Sequence, residues 1–290
     1  MYAGDMGGRV WRFDIWPGRD AAELVTGGVF ADLGAASEQT PAVENARRFY
    51  NAPDVALIQR RGANPYLNLA LGSGYRGHPL HTATQDRFYS LRDTLAFGRL
   101  TQLQYDAFTP ITDGILTDIT SSISSTRLPR DARGWKLELR LNGAGEKVLA
   151  EALTVNGAIL FPTFQPTSAS AANPCAPGVG LNRAYALSVD AGRPVVDFDD
   201  NMILTDSDAW TRLAQTGIAG EISYVFDTRP PPNQPNPNVP VPPRDALGRT
   251  ALCMVGVEVL RRCVPPGNVV RTFWQRGYME IGRASCRERV

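Results

Sequence analysis

The stretch Tyr2-Ala3-Gly4-Asp5-Met6-Gly7-Gly8-Arg9-Val10-Trp11-Arg12-Phe13-Asp14-Ile15 alternates polar and apolar residues from Arg9 onward, directly after a Met-Gly-Gly turn. Side chains along a β-strand point to opposite faces with a period of two, so the pattern reads as a strand. Two later segments repeat its form: Asp86-Arg87-Phe88-Tyr89-Ser90-Leu91-Arg92-Asp93, and Asn182-Arg183-Ala184-Tyr185-Ala186-Leu187-Ser188-Val189-Asp190. Each enters on an arginine, carries an aromatic residue and an alternating body, and leaves on an acid. The anchors Trp11, Tyr89 and Tyr185 are unequally spaced, so insertions interrupt the repeat.

Further strands are expected at Val55–Gln59, Leu67–Gly72, Trp135–Leu141, Lys147–Ala152 and Ala158–Phe164. Asn142-Gly143 and Asn156-Gly157 are hairpin signals, because both residue types tolerate the positive φ that a tight primed turn demands. Many short strands with a weak aromatic repeat point to an all-β sandwich or propeller. At roughly 40–50 residues per four-stranded unit, the chain holds four to six blades' worth of sequence. Residues 94–130 carry helical periodicity around Leu100-Gln104-Phe108 and Ile115-Ile119, which predicts a short helical insertion. Residues 228–243 form a Pro-rich loop, which cannot be a central strand.

Composition narrows the function. Of 290 residues, 43% are hydrophobic and 20% charged, with 27 glycines and 22 prolines, which suits strands and turns over long helices. The net charge is +1 with no basic stripe, so nucleic acid is not an expected partner. Only Lys136 and Lys147 are lysines among the 30 basic residues. No run reaches the apolar length of a membrane-spanning helix, and no signal peptide follows Met1. Residues 280–290, Glu280 to Val290, read as an adapter-derived tail, which leaves 1–279 as a fragment of a longer protein.

These segments resemble, in order, the C-terminal β-propeller of the PilY/PilC family of type IV pilus biogenesis and tip-adhesin proteins. The likeness is carried by Tyr2 to Asp14, Gly72-Ser73-Gly74-Tyr75-Arg76 with Asp86 to Tyr89, Asn182 to Leu187, and Val270-Arg271-Thr272-Phe273-Trp274. It implies an incomplete, quinoprotein-like propeller working in pilus assembly, twitching motility and surface attachment. The implied partners are pilins, pilus assembly proteins and a host or abiotic surface. The implied location is outside the cytoplasm, in the periplasm, outer membrane or pilus tip. The family's Asp-rich calcium loop is expected upstream of Met1, so calcium belongs to the parent protein and none is expected in this fragment.

Candidate chemistry is sparse. Asp197, Asp199 and Asp200, with Asp206 and Asp208 beyond, form the densest carboxylate cluster and the weak metal candidate. An EF-hand loop wants Gly at its sixth position and Glu at its twelfth, where this stretch has Met202 and Asp208. His78 and His81 lack further ligands in the sequence. No Gly-x-Ser-x-Gly elbow or phosphate loop occurs, so no catalytic residue is assigned and the chain reads as a non-enzyme. A quinone-dependent dehydrogenase and a carbohydrate-binding propeller are the alternatives. Cys253 and Cys263 are candidates for a disulfide across a hairpin in an exported protein, which leaves Cys175 odd once Cys286 of the tail is set aside.

Overall fold

The computed structural model describes residues 1–34, 42–59, 62–167, 180–227, 250–260 and 262–263. The Pro-rich stretch 228–243, Val270–Trp274, Cys175 and the tail 280–290 lie outside the described residues.

Short antiparallel strands dominate the chain. In order they are β1 (Tyr2–Gly4), β2 (Arg9–Ile15), β3 (Val25–Asp32), β4 (Asp54–Ile58), β5 (Tyr66–Gly72) and β6 (Arg87–Asp93). The short helix α1 (Gln102–Asp106) follows, then β7 (Ile111–Thr112), β8 (Thr117–Asp118) and β9 (Gly134–Glu138). The remainder is β10 (Leu153–Val155), β11 (Ala158–Gln165), β12 (Leu181–Ser188), β13 (Trp210–Leu213), β14 (Ile222–Asp227), β15 (Thr250–Val255) and β16 (Glu258–Val259). Among the described residues they form four sheets: β1-β2-β3-β7, β4-β5-β6-β9-β8, β10-β11-β12-β13 and β14-β15-β16.

The sheets stack in chain order, and strand periodicity explains how. In the second sheet, Leu69, Leu71, Tyr89 and Leu91 point into a core shared with Val10, Phe30 and Ala31 of the first. Their alternate neighbours Ala70 and Phe88 point the other way, into a core shared with Phe161 and Tyr185 of the third. Ala158, Leu160, Ala184 and Ala186 then carry the third sheet's opposite face to Ile222, Cys253 and Val255 of the fourth. The central strands of a middle sheet therefore have no solvent face, which is why β11 is buried at every position, Ala158 to Gln165. Face-to-face sheets joined through shared cores, one after another along the chain, make an all-β propeller-like architecture.

Asn156-Gly157 forms the two-residue turn of the β10–β11 hairpin, both residues at positive φ (48° and 76°). Asn142-Gly143 does not. It lies in an irregular segment where Asn142 donates to Glu146 and to the Tyr185 hydroxyl. The expected strand over Lys147–Ala152 is also corrected. Val148, Leu149 and Ala150 are buried, but the segment makes a single bridge, Lys147 to Phe164, and Val148 N–H donates to the Ser73 carbonyl. It wedges between sheets, where apolar content is rewarded without a ladder. A Cβ at Gly74 would collide with the Val148 carbonyl, so glycine is what lets the two backbones meet.

The helical insertion is smaller than its periodicity predicts. α1 spans five residues, capped by Thr101, whose side chain accepts from Gln104 N–H while Gln104 returns a bond. Ile115–Ile119 is not helical beyond one 3-10 turn, because β7 pairs with β3 and β8 with β9, both in parallel. The segment thus extends the first two sheets. Among the described residues no helix is long and apolar enough to cross a membrane.

Candidate functional site

Carboxylates clamp the strands through hydroxyl, amide and cationic donors. Asp93 accepts from the Tyr2 hydroxyl at 2.6 Å and from Arg12 at 3.1 Å, linking the first and second sheets. Asp113 accepts from the Tyr89 hydroxyl at 2.9 Å, from Lys136 at 2.5 Å, and from Arg87. Glu146, fully buried, accepts from Thr163 at 2.6 Å, Tyr185 at 3.0 Å and Asn142 at 3.1 Å, with Arg183 looser at 3.4 Å. Burial and the Glu146 charge push the Tyr185 hydroxyl well above its ordinary pKa, so it remains a donor. The Arg-x-Tyr repeats read from sequence are thus carboxylate clamps. Their residues are consumed by structure.

The acidic loop is the sequence-derived candidate site, and it connects β12 to β13. Asp197, Asp199 and Asp208 each bring a carboxylate oxygen within 4.8 Å of the others. Asp200 lies outside this group and pairs with Arg262. Asp208, fully buried, accepts from Phe198 N–H at 2.8 Å and Thr205 N–H at 2.9 Å. Asp197 accepts from the N–H groups of Asp200 at 2.8 Å and Met202 at 2.9 Å, and Asp199 from Asn201 N–H at 3.2 Å. Asp200 and Met202 hold positive φ of 70° and 65°, which curls the chain around the carboxylates. Against slight desolvation, the N–H donors hold the Asp197 carboxyl below its usual range.

Calcium takes about six to eight oxygens at close range. The loop offers three carboxylates, each already holding backbone donors, so the donor set falls short of a calcium cage. A cavity of about 400 Å3 beside it is lined by Phe198, Asp199, Arg212, Glu258 and Arg262.

The other candidates separate. His78 and His81 ring centroids lie 6.1 Å apart, each about 6 Å from the Tyr75 ring, itself under the Arg48 guanidinium at 4.2 Å. They form a ring cluster and, among the described residues, do not belong to a group of three or more metal-ligating side chains. Asp5 organises the first turn, accepting from Gly7 N–H, Arg9 N–H and the Trp11 indole. Cys253 on β15 and Cys263 beyond β16 are joined as a disulfide with Cα atoms 5.9 Å apart. Sequence reasoning missed the role of Asp208 as the buried anchor of the loop, although Thr205 three residues before it is a capping-box signal.

The fold and the clamps together define an all-β, propeller-like protein built from stacked sheets. No protein-family model matches the chain, and no curated protein matches it. Among solved structures it is similar to the C-terminal domain of PilY1 from Pseudomonas aeruginosa, with a TM-score of 0.51 and 17% identity. The similarity covers 89% of this chain and 56% of that one, so the chain spans little more than half of that domain's length. At this identity the likeness is one of fold: the architecture is PilY1-like.

Proposed function

We propose that this chain is a binding and assembly module of a type IV pilus, with a scaffolding rather than an enzymatic role. The observation that supports it is the PilY1-like arrangement of sheets over 89% of the chain. In this reading the protein is exported and works at the cell surface. It contacts pilins and pilus assembly proteins through exposed strand edges and loops, and supports pilus extension, twitching and attachment to host or abiotic surfaces. Calcium acts on the parent protein at the family's loop upstream of Met1, and the Asp197–Asp208 turn serves as a self-bonded structural loop.

The test is genetic and direct. In a piliated bacterium carrying the gene, its deletion is expected to lower the number of surface pili and shrink twitching zones, and complementation to restore both. Unchanged pilus counts together with unchanged twitching overturn the reading.

A further inference from the structure

A second site lies away from the acidic loop. A cleft of about 980 Å3 opens where β5 begins, beyond the end of β6, and beyond the end of β12. Arg92, Arg127, Arg130, Arg133 and Arg193 all line it, opposed among the described residues by two carboxylates, Asp131 and Asp190. In a chain of net charge +1, five guanidinium groups around one cleft concentrate positive potential locally.

Several of these donors are held in place without being used up. Arg92 donates to the Asp190 carbonyl at 2.8 Å and lies 5.2 Å from the centre of the Tyr66 ring. Arg193 Nε donates to the Thr126 carbonyl at 3.0 Å. Yet Arg92 Nε, Arg133 Nε and the Tyr66 hydroxyl are buried and meet no hydrogen-bond partner. Arg127 and Arg130 are exposed and belong to no ion pair among the described residues. The open guanidinium groups of Arg127 and Arg130 can meet an acceptor entering the cleft with charge-assisted hydrogen bonds.

The shape selects the ligand class. The volume far exceeds a single phosphate or sulfate and falls in the range of sites for organic ligands, about 300–1,000 Å3. Leu128, Pro129 and Ala191 supply apolar wall between the guanidinium groups. Planar guanidinium forks match carboxylates in paired hydrogen bonds, and the apolar faces of sugar rings match the wall. A nucleic-acid strand, which is held largely by bases stacking on open aromatic faces, fits less well, because the Tyr66 ring is already covered by Arg92. We propose that this cleft binds a short acidic oligosaccharide bearing carboxylates on its rings. The inference stands independently of the pilus reading.

Isothermal titration of the full chain tests it, with trigalacturonate as the probe. Saturable binding is expected, weakened at least tenfold by the double variant Arg127→Ala/Arg130→Ala and by raised salt, while maltotriose, inorganic phosphate and an oligothymidylate bind at least tenfold more weakly than the probe. Circular dichroism of the variant must match the parent chain, which separates lost recognition from lost fold. Three results overturn the proposal: no saturable binding of trigalacturonate, binding unchanged in the folded double variant, or equal binding of maltotriose, phosphate or the oligonucleotide.

Discussion

Tyr185 on β12 donates its hydroxyl to Glu146 at 3.0 Å, and both side chains are buried, Glu146 completely. The same geometry recurs one sheet earlier, where Tyr89 on β6 donates to Asp113 at 2.9 Å. Each pair satisfies an ionisable acid, Glu146 buried and Asp113 half-buried, from a strand's own aromatic residue. An acid left short of donors in that setting is costly.

Removing the hydroxyl exposes that dependence. Tyr185→Phe keeps the ring stacked on Phe161, with centroids 4.8 Å apart, and withdraws one of the donors to Glu146. The expected loss is about 1–3 kcal/mol of folding free energy in urea titration. A loss near zero means Glu146 does not depend on Tyr185.

Acid and neutral pH act oppositely on two acids, the buried Asp86 and the half-buried Asp113. Asp86 accepts from Ser73 at 2.7 Å, while its other oxygen meets no partner. Burial raises its carboxyl to about 6, although the Ser73 bond and the Lys147 charge pull it down. The folded state therefore holds this proton more tightly than the unfolded chain, and stability falls as pH climbs from about 4 to about 6, by on the order of 2–3 kcal/mol. Asp113 runs the other way: despite its own desolvation, Arg87 and Lys136 hold it below the usual range, so its contribution is lost as acid protonates it. Denaturation midpoints across this range are expected to flatten in Asp86→Asn. An unchanged slope in that variant contradicts the assignment.

Much of this was readable in the residues, for identifiable reasons. Asn156-Gly157 announced its hairpin because positive φ at two successive positions is a local requirement. The Arg87 and Arg183 repeats announced strands because alternation is local too. Lys147–Ala152 misled because burial by wedging and burial in a ladder leave the same apolar signature. Ile115–Ile119 misled because its pairing partners, β3 and β9, are chosen by tertiary contact. At the acidic loop, Asp197 and Asp199 stood out by density, whereas Asp208 owes its part to burial that composition does not encode.

The acidic loop predicts weak calcium binding. Titration calorimetry of the chain is expected to show no site tighter than about millimolar, the weak end of the calcium range. Asp208→Ala, by contrast, removes the acceptor for Phe198 and Thr205 N–H and is expected to cost about 1–3 kcal/mol of stability. A micromolar calcium isotherm would show that the loop rearranges into a complete oxygen cage.

Both lysines of the chain are buried: Lys147 is 1% exposed and Lys136 9%. Lys147 donates to the carbonyls of Pro79 at 2.9 Å and His81 at 2.5 Å, and Lys136 to Asp113. An amine-reactive ester is therefore expected to reach the lysines only in denaturant. Peptide mapping that finds Lys147 modified as fast in the folded protein as in denaturant contradicts this burial.

The sharing of cores between successive sheets is tested most directly at Phe88 and Phe161. Their rings stack with centroids 3.6 Å apart, one on the second sheet and one on the third, and both are fully buried. A double-mutant cycle with Phe88→Leu, Phe161→Leu and the pair, read by urea denaturation, measures whether the two sheets meet there. The stacked-sheet architecture predicts a coupling of about 0.5–1.5 kcal/mol between the two sites. Additivity within about 0.3 kcal/mol would place the two rings apart and contradict the shared core.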